Sequence, residues 1–336
     1  MESRRLKVKT ISSDEGKPLM EVIDYDGYLF PNHLRGYEQA EDVDILEFLD
    51  SLNQLEFFHD EVAIVSYPRS GTHWTFELCN MLKSGSSDFI DTMVPNFDYS
   101  PDEELVDAKN KSRVYTSHLY PRHFPKQFLE KCCKIILVYR NPKDVAASYF
   151  NINNKMKSYN EGGLSFSEFL KCYLSGNVAC GSWVNWMKEW KTFKKENPEY
   201  PFLEIAYEDM KKNLKESVQE ISDFLGLNSP PELIEDIAKK CEFRTMSAHK
   251  NANVPEPLRQ LTNTGNEQSH IIYGKGLKYV IFHMNIHFQF HVFVQTLERT
   301  TTPVERWGSR GQFRTIGPVN FFKKWKYPIF EVILHV

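Results

Sequence analysis

Val62-Ala63-Ile64-Val65-Ser66-Tyr67-Pro68-Arg69-Ser70-Gly71-Thr72-His73-Trp74 decides the reading of this chain. An apolar, β-branched run stops at a proline and turns through Arg69, Ser70 and Gly71. It then enters a segment where Trp74, Leu78, Met81 and Leu82 recur at helical spacing. A strand, a tight turn and a helix start, in that order, aim backbone N–H groups, an aligned dipole and an Arg at an anion. The G-x-x-x-x-G-K-[ST] spacing of the ordinary P-loop is absent, which disfavours a standard ATPase or GTPase.

A second segment repeats the arrangement. Lys134-Ile135-Ile136-Leu137-Val138-Tyr139 reads as another buried strand and ends in Arg140. Asn141-Pro142 then has the order of an N-cap followed by proline at the first helical position. Ser148 lies seven residues after Asn141, on the same helix face. Two anion sites on one sheet point to a ligand with two separated phosphate groups.

Strand-like runs recur at Val62–Ser66, Arg113–Thr116, Lys134–Tyr139 and Phe202–Tyr207. Helical patterns follow at Val145–Phe150, Phe166–Leu174, Trp183–Phe193 and Leu214–Leu225. This alternation predicts an α/β fold: a P-loop-like parallel sheet flanked by helices on both faces. Ligands of such sheets sit at the carboxyl ends of the strands, where Ser66/Arg69, His118, Arg140 and Tyr207 fall. Before residue 58 the one clear turn-bounded apolar cluster is Gly27-Tyr28-Leu29-Phe30-Pro31.

Composition sets bounds. The 336 residues carry 41 Lys and Arg against 45 Asp and Glu, a net charge of −4, so an anion site must be local and nucleic acid is not the expected partner. The first residues lack an apolar signal region, and no apolar run has the length of a bilayer span. Six cysteines without paired C-x-x-C spacing fit a reduced, cytoplasmic protein with buried thiols.

The two anion segments resemble those of the cytosolic sulfotransferases, which use 3′-phosphoadenosine-5′-phosphosulfate (PAPS). The resemblance covers roughly residues 25 to 276 and rests on Tyr67–Trp74 and on Tyr139–Tyr149, with further matches at Gly181-Ser182-Trp183 and Tyr207-Glu208-Asp209-Met210. It implies that Arg69, at the family's loop lysine, steadies the leaving 5′-phosphate, and that Ser70, Gly71, Thr72, His73 and Trp74 complete that loop, with Trp74 near the adenine. It implies that Arg140 and Ser148 hold the 3′-phosphate, that Tyr207 touches the nucleotide, and that His118 is the catalytic histidine. The implied reaction needs no metal. It takes a sulfuryl group from PAPS to a hydroxyl or amine of a small acceptor, a phenol or alcohol for example.

Three departures accompany the resemblance. Thr116 stands where the family has a lysine two residues before the histidine. Cys241-Glu242-Phe243 replaces Thr-Ser-Phe, and Gly274 takes an arginine position in a closing loop whose Gly-Asp-Trp-Lys does not follow. The C-terminal dimerisation motif is missing as well, which leaves a homodimer open. The expected division is a sulfotransferase domain at 1–276 and a divergent tail at 277–336, and the alternative function is a weak or inactive PAPS or small-ligand binder. In the tail, Phe282 to Val294 alternates apolar and polar residues and reads as a half-exposed strand. That pattern puts His283, His287 and His291 on its wet side rather than on a zinc ion. Trp183, Trp186 and Trp190 at helical spacing read as core.

Overall fold

The computed structural model describes residues 8–31, 45–98, 100, 105, 113–156 and 163–255, and the backbone of 304–307 and 313–316. The chain divides into two compact units, Met1–Leu277 and Lys278–Val336.

The first unit begins with an antiparallel sheet, β1 (Val8–Ser12), β2 (Pro18–Tyr25) and β3 (Tyr28–Pro31). Asp26 and Gly27, at φ 51° and 70°, form the two-residue turn between β2 and β3. Positive φ at both positions matches the right-handed twist of the strands, and Asp-Gly tolerates it. The apolar cluster at Gly27–Pro31 is thus the return strand of a hairpin. Helix α1 (Ile45–Gln54) follows.

The central sheet holds β4 (Val62–Ser66), β5 (Val114–Ser117), β6 (Lys134–Tyr139) and β7 (Phe202–Ala206), all parallel, in the order β5-β4-β6-β7. Every residue of β4 is buried, as a parallel strand covered on both faces requires. On one face Val62, Ile64, Ile136, Val138 and Ile205 share a core with helix α2 (Thr72–Ser84). Ala63, Val65, Ile135 and Leu137 are equally buried on the other face.

Between β5 and β6 a turn at Pro121–His123 leads to the short α3 (Lys126–Glu130). After β6 come α4 (Pro142–Asn153), α5 (Phe166–Ser175) and α6 (Trp183–Glu196). Trp186 and Trp190 of α6 are fully enclosed, and the Trp190 ring stands 6.2 Å from Phe202 of β7. Helices α7 (Tyr207–Lys212), α8 (Leu214–Leu225), α9 (Pro231–Lys240) and α10 (Phe243–Ala252) complete the described part. Met210, Val218, Ile221, Ile234 and Met246 from these four join the α2 core. This is the α/β architecture predicted from the alternating pattern.

Two strand boundaries differ from the expected ones. Arg113 has φ 53°, which is incompatible with a strand, so β5 starts at Val114 and includes Ser117. Tyr207 does not end β7; it opens α7, where Glu208 and Asp209 suit the positive end of the helix. All six cysteines are free and all except Cys132 are buried. Among the described residues no helix is long and apolar enough to cross a membrane. In the second unit β8 (Val304–Trp307) and β9 (Phe313–Ile316) pair antiparallel. The alternating stretch Phe282–Val294, with His283, His287 and His291, lies outside the described residues, as does Gly274.

Candidate functional site

Because the four strands run in parallel, the residues that follow them emerge along one border of the sheet. After β4 the chain turns with Ser70 N–H donating to the Tyr67 carbonyl at 3.2 Å. Arg69, at φ 71°, and Gly71, at φ 112°, both hold left-handed backbone. Glycine is required at 71 twice over, since a Cβ there would also stand 2.8 Å from Tyr207 Cδ2. Gly71 caps α2 without a side chain, so the first-turn N–H groups keep their positive field.

The second anion segment meets the first. Asn141 accepts from the Lys143 N–H at 3.0 Å and starts α4, as its cap position predicted. Arg140 Nη1 donates to the Arg69 carbonyl at 3.0 Å, and its guanidinium lies 4.3 Å from the centroid of the Tyr207 ring. Arg69 Nε reaches Ser148 Oγ at 3.2 Å. Arg69, Arg140, Ser148 and Tyr207 therefore form one cluster. Among the described residues two buried polar atoms, Ser70 Oγ of the same turn and Arg140 Nε, have no hydrogen-bond partner. An orphaned hydroxyl and an orphaned guanidinium N–H together are the chemistry of a phosphate-oxygen site. Thr72 Oγ1 is committed to Ser66 Oγ at 2.6 Å, and Trp74 Nε1 donates to the Cys241 carbonyl at 2.9 Å with its ring edge-on to Tyr207.

His118 follows β5 directly. Its Nδ1 donates to the Ser66 carbonyl at 2.7 Å, which leaves the lone pair on Nε2. Burial outweighs the bond to Ser66, and with the charge of Arg69 it takes His118 down to about 4. Burial, Arg69 and His118 take His73 to about 3. Both rings are neutral at pH 7. The His118 backbone is held on both sides: Asp98 Oδ2 accepts from its N–H at 2.7 Å, and its carbonyl accepts from Trp186 Nε1 at 2.6 Å and Tyr28 Oη at 3.1 Å.

Thr116 offers no cation at the position where a lysine was expected. It is buried, donates to the Pro95 carbonyl at 2.9 Å and accepts from Asn96 Nδ2 at 3.0 Å. Glu242 is exposed at the N-cap of α10. Sequence reasoning missed Asp98, Tyr28 and Ser66 as holders of His118. Among the described residues no group of His, Cys, Asp and Glu is arranged to hold a metal.

The chain is 34% identical over 214 residues to the 3-beta-hydroxysteroid sulfotransferase of Cavia porcellus, spanning 61% of this chain and 72% of that one. It is 31% identical over 257 residues to Sulfotransferase 1E1 of the same species, spanning 71% and 84%. The crystal structure of mouse sulfotransferase SULT7A1 complexed with PAP superposes with a TM-score of 0.64 at 25% identity, over 83% of this chain and 96% of that one. Retinol dehydratase in complex with androsterone and PAP shares the fold, with a TM-score of 0.65 at 18% identity over 85% and 91%. The sulfotransferase domain model matches residues 59–284, and the chain belongs to that family.

Proposed function

We propose that this chain moves a sulfuryl group from PAPS to the hydroxyl or amine of a small apolar or aromatic acceptor, in a reduced cytoplasmic setting. The observation that carries this reading is the meeting of two strand-end arginines in one crevice: Arg140 Nη1 on the Arg69 carbonyl, and Arg69 Nε on Ser148. The orphaned Ser70 Oγ and Arg140 Nε suit oxygens of the nucleotide phosphates. PAPS supplies the activated sulfuryl group. Arg69 and the start of α2 offset negative charge on the 5′ side, while Arg140 and Ser148 hold the 3′-phosphate and Tyr207 backs the Arg140 guanidinium. Neutral His118, with Nδ1 on Ser66, accepts the acceptor proton at Nε2. A relative named as a 3-beta-hydroxysteroid sulfotransferase keeps apolar alcohols in the acceptor class. The transferase domain is taken as residues 1–276, which hold all of these groups, with 277–336 a divergent tail.

Thermal stabilisation by 3′-phosphoadenosine-5′-phosphate (PAP) well beyond that by AMP is the expected result, followed by transfer of label from PAPS to a phenol or sterol. Equal shifts with PAP and AMP would reject the two-phosphate reading. Thr116 favours a second reading, a binder that turns over weakly or not at all. Its hydroxyl is committed to Pro95 and Asn96, so one cation fewer faces the transferring group. PAP binding without label transfer is the outcome specific to that reading.

A further inference from the structure

Asp98 is 1% exposed, and among the described residues its carboxylate has neutral partners only. Oδ1 accepts from Ser117 Oγ at 2.7 Å and Oδ2 from the His118 N–H at 2.7 Å. A buried carboxylate without a cation is costly unless hydrogen bonds satisfy it. The chain builds a support for this one. Asn96 Oδ1 accepts from the Asp98 N–H at 2.7 Å while Asn96 Nδ2 is tied to Thr116. Thr116 N–H donates to the Pro95 carbonyl at 2.8 Å and Phe97 N–H to the Thr116 carbonyl at 3.0 Å, which locks the segment beside β5.

We infer that Asp98 is a positioning residue for the transfer: its carboxyl pins the His118 backbone, so the imidazole keeps Nδ1 on Ser66 and presents Nε2 to the acceptor. This rests on the reading of His118 as the base. The His118 carbonyl is already held by Trp186 and Tyr28, and Nδ1 by Ser66. The amide is the other backbone group of His118, and losing its bond to Asp98 removes a contact that fixes the peptide between Ser117 and His118. Burial pushes the Asp98 carboxyl up to about 7. Its function survives protonation, because Ser117 Oγ, which also accepts from the Leu119 N–H at 3.0 Å, can turn to accept from Oδ1 while Oδ2 stays on His118. Asparagine reproduces that protonated pattern, with its amide N on Ser117 and its oxygen on His118.

The test compares Asp98→Ala with Asp98→Asn in the full chain. The first readout is the tautomer of the His118 ring, followed by nitrogen-15 NMR and assigned by loss of its signals in His118→Gln. The wild type and Asp98→Asn are expected to hold the Nδ1–H tautomer at pH 7.5, and Asp98→Ala to average the two. The second is kcat, expected to fall about 100-fold in Asp98→Ala and to return to within about 5-fold in Asp98→Asn, with PAP stabilisation unchanged in both. An unaltered tautomer and kcat in folded Asp98→Ala overturn the inference, as does an Asp98→Asn as impaired as the alanine variant. Loss of PAP stabilisation in step with kcat would also overturn it, by making the role merely structural. A wild type without turnover that still shows the tautomer change defeats the functional reading and leaves Asp98 as the residue that sets the His118 ring.

Discussion

Arg69 Nε donates to Ser148 Oγ at 3.2 Å, joining the turn before α2 to the middle of α4. Through its carbonyl the same residue accepts from Arg140, so two segments about seventy residues apart in sequence meet in the cluster proposed above as the anion site. Arg140→Ala is expected to weaken PAP binding by roughly 1.5–3 kcal/mol, the range for hydrogen bonds to charged groups, or roughly 10- to 150-fold. AMP, which lacks the 3′-phosphate, should lose much less. Titration calorimetry with both nucleotides measures the difference, and an equal loss for each would detach Arg140 from the 3′ end.

With His118 as the proposed base, the pH dependence follows from its ring. With its ring brought down to about 4, the neutral base persists far below the usual histidine range. Turnover limited by this base should hold steady from pH 7.5 to about 5.5 and fall as the pH approaches 4. An acid limb centred near 6.5 would contradict that lowered value. His118→Ala should abolish transfer while PAP still raises the melting temperature.

The same depressed values govern stability. In the unfolded chain these histidines protonate near 6.5, whereas folded His118 does so at about 4 and folded His73 at about 3. Between those limits the unfolded state binds more protons, so their contribution is complete above pH 6.5 and is lost as pH falls through the folded values. Asp98, raised to about 7, acts in the opposite direction between its ordinary value and 7. Unfolding at pH 5 should take up fewer protons in His118→Asn and in His73→Asn than in the wild type. Calorimetry in buffers of different ionisation enthalpy reads this directly.

Gly71→Ala should cost about 1–3 kcal/mol from backbone strain alone. Tyr207 Cδ2, 2.8 Å from the new Cβ, would have to shift as well and would disturb the Arg140 stack. Chemical denaturation measures the cost. Adding Tyr207→Ala relieves the clash but not the strained φ of 112°, so the double variant should recover part of the loss and no more.

Lys250 of α10 forms an ion pair with Glu77 of α2, with side chains 9% and 2% exposed, and also donates to the Ile90 carbonyl. Lys250→Met leaves the Glu77 carboxyl buried opposite an apolar chain and should cost roughly 3–5 kcal/mol. The combined Lys250→Met, Glu77→Leu variant should be milder, because neither charge is then stranded. Urea denaturation of the two variants distinguishes a stranded charge from simple loss of packing.

The strands most legible in the sequence were those buried on both faces. Val62–Ser66 and Lys134–Tyr139 are uninterrupted apolar runs, and both have the expected limits. The start of β5 was harder to read, since the departure at Arg113 is a backbone angle that leaves no mark on hydropathy. The first sheet was largely hidden because β1 buries little of Val-Lys-Thr-Ile-Ser, and its register depends on pairing with β2. In the site, Arg69, Arg140 and His118 followed strand ends and were visible there. Asp98 lies 20 residues from its hydrogen-bond partner His118, and no periodicity or motif spacing connects the two.

The attachment of Pro95–Asp98 to β5 also bears on association between molecules. β5 is an outermost strand, and an unpaired outermost strand is a template for other chains. Here Thr116 spends its N–H on Pro95 and its carbonyl on Phe97, so the molecule occupies part of that flank with its own backbone. On the far flank, Glu204 of β7 carries Lys191 and Lys194, and charges at such a position discourage intermolecular strand pairing. Among the described strands, both flanks of this sheet thus carry features that disfavour pairing with another chain, while its centre stays largely apolar.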